Sequence, residues 1–127
     1  MVWGALEPLD QWLLDYGYSD IALLGKAVTR RPRWRAVGFA LHAANGVVFG
    51  LAYERLRRSA PAGPYRLAIG MALAEHLALY PLNALVDRVH PARGEPGVPP
   101  LLTSPRAFAQ ATWRHLVFGA LLGRLAS

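Results

Sequence analysis

The chain has 127 residues, enough for one domain, and combines 54% hydrophobic with only 17% charged residues, where soluble domains carry about 25%. It contains no cysteine, which excludes disulfides, thiolate metal sites and covalent haem attachment. The net charge of +6 is unevenly spread: Glu7, Asp10, Asp15 and Asp20 all precede the first base, Lys26, and every arginine follows it.

Residues 1–30 read as two short amphipathic helices. Pro8 suits a first helical position, Val2, Leu6, Leu9, Leu13 and Tyr16 form one apolar stripe, and Gly17 suits the residue that ends the helix. Ser19 is the expected N-cap of a second helix from Asp20 to about Val28. The acids forbid a simple membrane span here and point to an interfacial or packed position. An acidic N-terminus does not read as a signal peptide.

Arg31-Pro32 breaks the chain. The stretch 34–57 is the first candidate span: Ala36 to Tyr53 is eighteen residues without a formal charge, bounded by Trp34 and Tyr53 as interfacial aromatics. Residues 59–64 form a turn. The helix expected over 65–90 is apolar on most of its surface, yet His76, Tyr80, Asn83, Asp87 and His90 fall on one meridian, with Glu75 beside them. Pro81 predicts a kink near Leu77–Pro81. Residues 91–105 are rich in Pro and Gly and read as a loop. Thr103 or Ser104 caps a last helix over 106–125.

The expected fold is therefore all-α, a single domain over 1–127: a small bundle of three spanning helices (34–57, 65–90 and 106–125) with an amphipathic N-terminal segment. Small residues favour the membrane reading over a soluble basic bundle. Gly46-x-x-x-Gly50 and Gly119-x-x-x-Gly123 permit close helix approach, and Gly70, Ala74 and Ala78 repeat at four. No helix from residue 34 onward carries a broad charged face, as a soluble bundle would. The arginines punctuate apolar segments instead of lining one polar face, which suits phospholipid headgroups and disfavours nucleic acid. With three spans, Lys26, Arg30, Arg31, Arg33, Arg35, Arg88, Arg93 and Arg106 share one side. Arg55, Arg57, Arg58, Arg66 and Arg124 share the other, so the N-terminus is expected to be cytoplasmic. A short repeat, 48–56 against 117–125, fits two parallel helices.

The pattern Gly38-x-x-x-His42-x-x-Asn45-Gly46-x-x-Phe49-Gly50-x-x-Tyr53, followed by a Glu-His span, resembles small polytopic bacterial inner-membrane proteins of uncharacterised function. The resemblance covers about residues 34–125 and implies an inner-membrane location, with no activity attached. Residues 1–30 depart from it, since those proteins have a clear apolar first span.

His42, Asn45, Glu75, His76, Arg114 and His115 all fall in the middle of apolar helices and form an expected intramembrane polar cluster, with Glu75 and Arg114 as its ion pair. The favoured reading is internal pairing, without cofactor or enzymatic chemistry, in an accessory or structural membrane component that is a homo-oligomer or part of a larger complex. Three alternatives use the same residues. One is a His/Glu metal site. Another is a tetrapyrrole ligated by a histidine, with room made by the small residue four positions earlier (Gly38, Ala72 or Ala111). The third is proton or ion transfer along His76, Tyr80, Asn83 and Asp87. Nucleophile elbows, phosphate loops and HExxH motifs are absent.

Overall fold

The computed structural model describes residues 2–127, with side chains from Glu7 onward. In chain order the helices are α1 (Val2–Leu14), α2 (Asp20–Val28), α3 (Trp34–Arg57), α4 (Pro64–Leu79), α5 (Asn83–Val89) and α6 (Pro105–Leu125). A 3₁₀ turn, Tyr80–Leu82, joins α4 to α5. Among the described residues there is no β-strand, only an isolated bridge between Tyr18 and Gly97.

Local chemistry explains most boundaries. The hydroxyl of Ser19 accepts from the Ala22 amide at 3.1 Å, and that of Ser104, the cap chosen over Thr103, accepts from Ala107 at 3.2 Å. Pro81 cannot donate to its helix, and α geometry gives way to a 3₁₀ turn where the kink was expected. Two expectations for α1 are corrected. Pro8 lies inside the helix, not at its start, and the residue that ends it in the left-handed region is Asp15 (φ 48°), not Gly17.

Two helix pairs form the body. In the first, α2 lies across the start of α3 on two glycines. A Cβ at Gly25 would stand 2.0 Å from the Trp34 carbonyl oxygen, and one at Gly38 2.0 Å from that of Ile21. In the second, α4 and α6 run antiparallel: a Cβ at Gly119 would stand 2.8 Å from Ile69 Cα, and one at Gly123 2.9 Å from Tyr65 Cα. Of the two spaced glycine pairs, only Gly119 and Gly123 make a close contact. A Cβ at Gly46 or Gly50 meets nothing within 4 Å, so that pair makes no close helix contact among the described residues of the chain. The pairs meet where Phe49 packs edge-on against Phe118, with centroids 5.1 Å apart, and where the Tyr53 hydroxyl donates to the Pro64 carbonyl at 3.2 Å. The repeat segments of α3 and α6 thus run parallel and touch.

The 91–104 segment folds back over α2. The Ser19 amide donates to the Gly97 carbonyl at 3.0 Å and Lys26 Nζ to that of Pro96 at 2.8 Å, while Ala92, Val98 and Leu101 are buried beneath. Gly97 is required twice over, by its φ of +88° and by the 2.6 Å that would separate its Cβ from that of Ala22.

The distribution of polarity is inverted. Glu7, Asp10, Ser19, Lys26, His76, His90, Gln110 and Arg114 are buried, mostly among alanines and glycines, while large apolar side chains cover the outside. Trp12 is 77% exposed, Val48 66%, Leu51 68% and Leu125 85%. The apolar stripe of α1 is corrected in the same sense: Leu9 and Leu13 face outward and Glu7 and Asp10 face the bundle, while Val2 and Leu6 lie outside the residues with described side chains. Two helical stretches, 34–57 and 64–89, are long and apolar enough to cross a membrane. Only 17% and 11% of their most apolar windows are buried, unlike the core helix of a soluble protein. α6 does not reach the same measure.

Candidate functional site

Arg114 is the largest of the fully buried side chains, about ten residues or 15 Å into α6 from its N-cap. Its expected partner was Glu75, and that pairing is corrected. Arg114 turns away from α4 and meets the N-terminal acids. Asp10 takes it in a fork, Nε to Oδ2 at 2.6 Å and a terminal nitrogen to Oδ1 at 2.7 Å. Asp20 accepts at 2.9 Å, the Tyr18 carbonyl at 2.9 Å, and Glu7 lies at 3.7 Å. The Tyr18 ring covers the guanidinium at 4.9 Å. Gln110, one turn earlier on α6, donates to Asp10 at 3.1 Å and to the Tyr16 carbonyl at 2.9 Å.

α1 therefore runs antiparallel to α6, Asp15 lying near Arg106 and Asp10 near Arg114. Three acids around one arginine leave excess negative charge, and burial partly relieves it by pushing the Glu7 carboxyl above its ordinary range. The Ser19 hydroxyl and Arg114 oppose that shift. The Tyr18 phenol is driven far up by burial and by Asp20, to which it donates, and stays neutral.

The opposite face of α6 carries a second cluster. His76 stacks on His115 with centroids 4.9 Å apart and planes at 30°, framed by Phe108 and Tyr80. The hydrogen bonds fix both tautomers. The Thr112 hydroxyl donates to the Phe108 carbonyl at 2.8 Å, so at 2.9 Å it accepts from His76 Nε2, leaving Nδ1 free. His115 Nδ1 donates to the Ala111 carbonyl at 2.7 Å, so its Nε2 is the nitrogen that faces Glu75, 4.0 Å away. Asn45 reaches Glu75 from α3 at 3.4 Å. Of the six expected cluster residues, Asn45, Glu75, His76 and His115 come together. Arg114 belongs to the other face, and His42, half-buried on α3, has no side-chain hydrogen bond among the described residues.

The polar stripe beyond His76 holds the loop. The Tyr80 hydroxyl donates to the Leu101 carbonyl at 2.7 Å, and Asp87 accepts from the Leu101 and Leu102 amides at 2.9 Å each. His90 Nε2 donates to the Leu23 carbonyl at 2.8 Å while Nδ1 accepts from Ala92 at 3.0 Å. Asn83 makes no side-chain hydrogen bond among the described residues. Each of Tyr80, Asp87 and His90 ends on backbone, so the expected relay along the stripe has no continuous file of side chains. Room for a flat ring is likewise filled: Gly38 is pressed against α2, and Ala72 and Ala111 are buried between helices. The His76 and His115 rings stack instead of converging, and among the described residues no group of three or more His, Asp or Glu side chains is placed so that it could hold a metal ion.

The residues that sequence reasoning missed are Glu7, Asp10, Tyr18, Asp20 and Gln110. Their signal was present as four acids ahead of every base, opposite an arginine in the middle of an apolar helix. No protein-family model, curated protein or solved structure matches the chain.

Proposed function

We propose that the chain is a small integral membrane protein. In this reading α3, the α4–α5 stretch and α6 span the bilayer, and α1 and α2 pack against α6. It works as an accessory or structural component without catalytic chemistry of its own. The observation that carries this is the inverted exposure. Leu, Val, Phe and Trp side chains face outward along α1, α3, α4, α5 and α6, while the buried positions hold acids, an arginine, a lysine, histidines, glutamine and small residues beside only five larger apolar or aromatic side chains, Tyr18, Phe49, Tyr53, Val98 and Leu101. In water such a surface would aggregate; in lipid it is solvated.

α6 is the least apolar of the three spans because Arg114 costs about 2.5–3.5 kcal/mol on the insertion scale. Asp10 and Asp20 pair with it, so the guanidinium faces carboxylates instead of lipid, and the N-terminal segment thereby supports α6 as a membrane helix. The side holding Arg31, Arg33, Arg35, Arg88 and Arg93 is assigned to the cytoplasmic face of an inner membrane, and the N-terminal segment enters from it.

Membrane fractionation tests the reading. The full chain is expected in the membrane pellet after an alkaline carbonate wash and in solution only with detergent. Recovery of folded, monodisperse protein from the soluble fraction without detergent would contradict it. The alternative, cofactor or proton handling at Glu75, His76 and His115, draws on the free Nδ1 of His76 and on the His115 nitrogen that faces Glu75. A visible absorption band or stoichiometric metal in the purified protein would favour it.

A further inference from the structure

We propose that the end of the bundle formed by the α2–α3 loop, the start of α3 and the 88–95 segment binds the headgroups of anionic phospholipids. The inference rests on the membrane reading and adds a ligand class to it. Arg30 brings the two loops together by donating to the Pro91 carbonyl and pairing with Glu95. That places Arg31, Arg33 and Arg35 on the same end as Arg88 and Arg93, all of them exposed.

The acids at this end are already committed. Glu95 is taken by Arg30 and Lys26, Asp87 by the Leu101 and Leu102 amides, and Asp15 by Arg106. Arg31, Arg33, Arg35, Arg88 and Arg93 therefore have no acid partner among the described residues. At the opposite end Glu54 pairs with both Arg57 and Arg58, and among the described residues only Arg55, Arg66 and Arg124 lack an acid partner there, three against five.

What lies beside the arginines selects the partner. Trp34 is the interfacial aromatic of this end, with Arg35 at 5.3 Å and Lys26 at 5.0 Å from its ring. Exposed Val28, Phe39, Leu85 and Val89 continue from it along the bundle. A cationic rim immediately above an apolar belt fits a phosphate joined to acyl chains. A nucleic acid would need the cations to continue along a polar groove, whereas the side chains that continue from these arginines are apolar.

The test is competitive lipid retention. The full chain in neutral detergent is offered equal amounts of phosphatidylglycerol and phosphatidylcholine, and bound lipid is measured by native mass spectrometry. Wild type is expected to retain phosphatidylglycerol about tenfold over phosphatidylcholine, with the preference falling as salt is raised. The triple variant R31Q/R33Q/R35Q is expected to lose most of that preference, and R55Q/R66Q/R124Q, at the opposite end, to keep it. Circular dichroism of both variants confirms that exposed glutamines leave the helices intact. Equal retention of the two lipids by wild type overturns the inference and leaves the membrane reading standing, as does equal loss of preference in both variants. Tighter binding of a short oligonucleotide than of phosphatidylglycerol through the same arginines also overturns it. Soluble protein that retains neither lipid overturns both.

Discussion

Arg114 and His115 are neighbours in sequence and face opposite ways from α6. Arg114 enters a node in which Asp10, Asp20 and the Tyr18 carbonyl take its donors at 2.6–2.9 Å. His115 enters a looser cluster, stacked on His76 and 4.0 Å from a partly exposed Glu75. A buried charge depends wholly on its partners, because nothing else offsets its lost solvation; a partly exposed ring depends on them little. The two faces should therefore respond very differently to substitution.

The largest effect is expected at the node. Arg114→Gln leaves Asp10 and Asp20 buried without a counter-charge, and a loss of about 3–5 kcal/mol is expected in unfolding experiments in detergent. A loss below about 1 kcal/mol would mean that the node is solvated. Next come the glycines that let helices touch. Gly38→Ala and Gly119→Ala place a methyl 2.0 and 2.8 Å from neighbouring backbone, and a cost of about 1–3 kcal/mol is expected. Gly46→Ala and Gly50→Ala meet nothing within 4 Å and are expected to be neutral or stabilising by up to about 1 kcal/mol. Thermal unfolding of the four variants separates contact from mere spacing.

On the His115 face, Glu75→Gln removes only long contacts to partly exposed groups, so less than about 1 kcal/mol is expected. The smallest effect is a pH dependence. Burial raises the Glu7 carboxyl above 4.5, so its contribution is complete below that value and is lost as pH rises through the folded value. Glu7→Gln carries no such titration. The stability of wild type relative to this variant should fall as pH rises from 4.5 toward neutrality, and a difference that stays flat or grows would contradict the protonated carboxyl.

Much of the fold was legible. Trp34–Arg57 was readable from an uncharged run between aromatics, the break at Pro81 from its missing donor, and the Ser19 and Ser104 caps from hydroxyls before helical stretches. Gly25 and Gly38 were not, because their close contact joins different helices and no local spacing announces it. The site was half legible. Placing residues at equal depth brought Asn45, Glu75, His76 and His115 together correctly. Depth alone could not tell that Arg114, a 100° step from His115, faces another partner. The stripe of α1 misled because it was read as facing the core, whereas Leu9 and Leu13 face outward and Glu7 and Asp10 turn in toward Arg114 and Ser19.

The most direct measurement is a pair of double-mutant cycles on Arg114. In the cycle of Asp10→Asn with Arg114→Gln, a coupling of about 1.5 kcal/mol or more is expected. In the cycle of Glu75→Gln with Arg114→Gln, the effects should add to within about 0.5 kcal/mol. Strong coupling to Glu75 with additivity at Asp10 would contradict the assignment of Arg114 to the N-terminal acids, and with it the place given to α1 in the bundle.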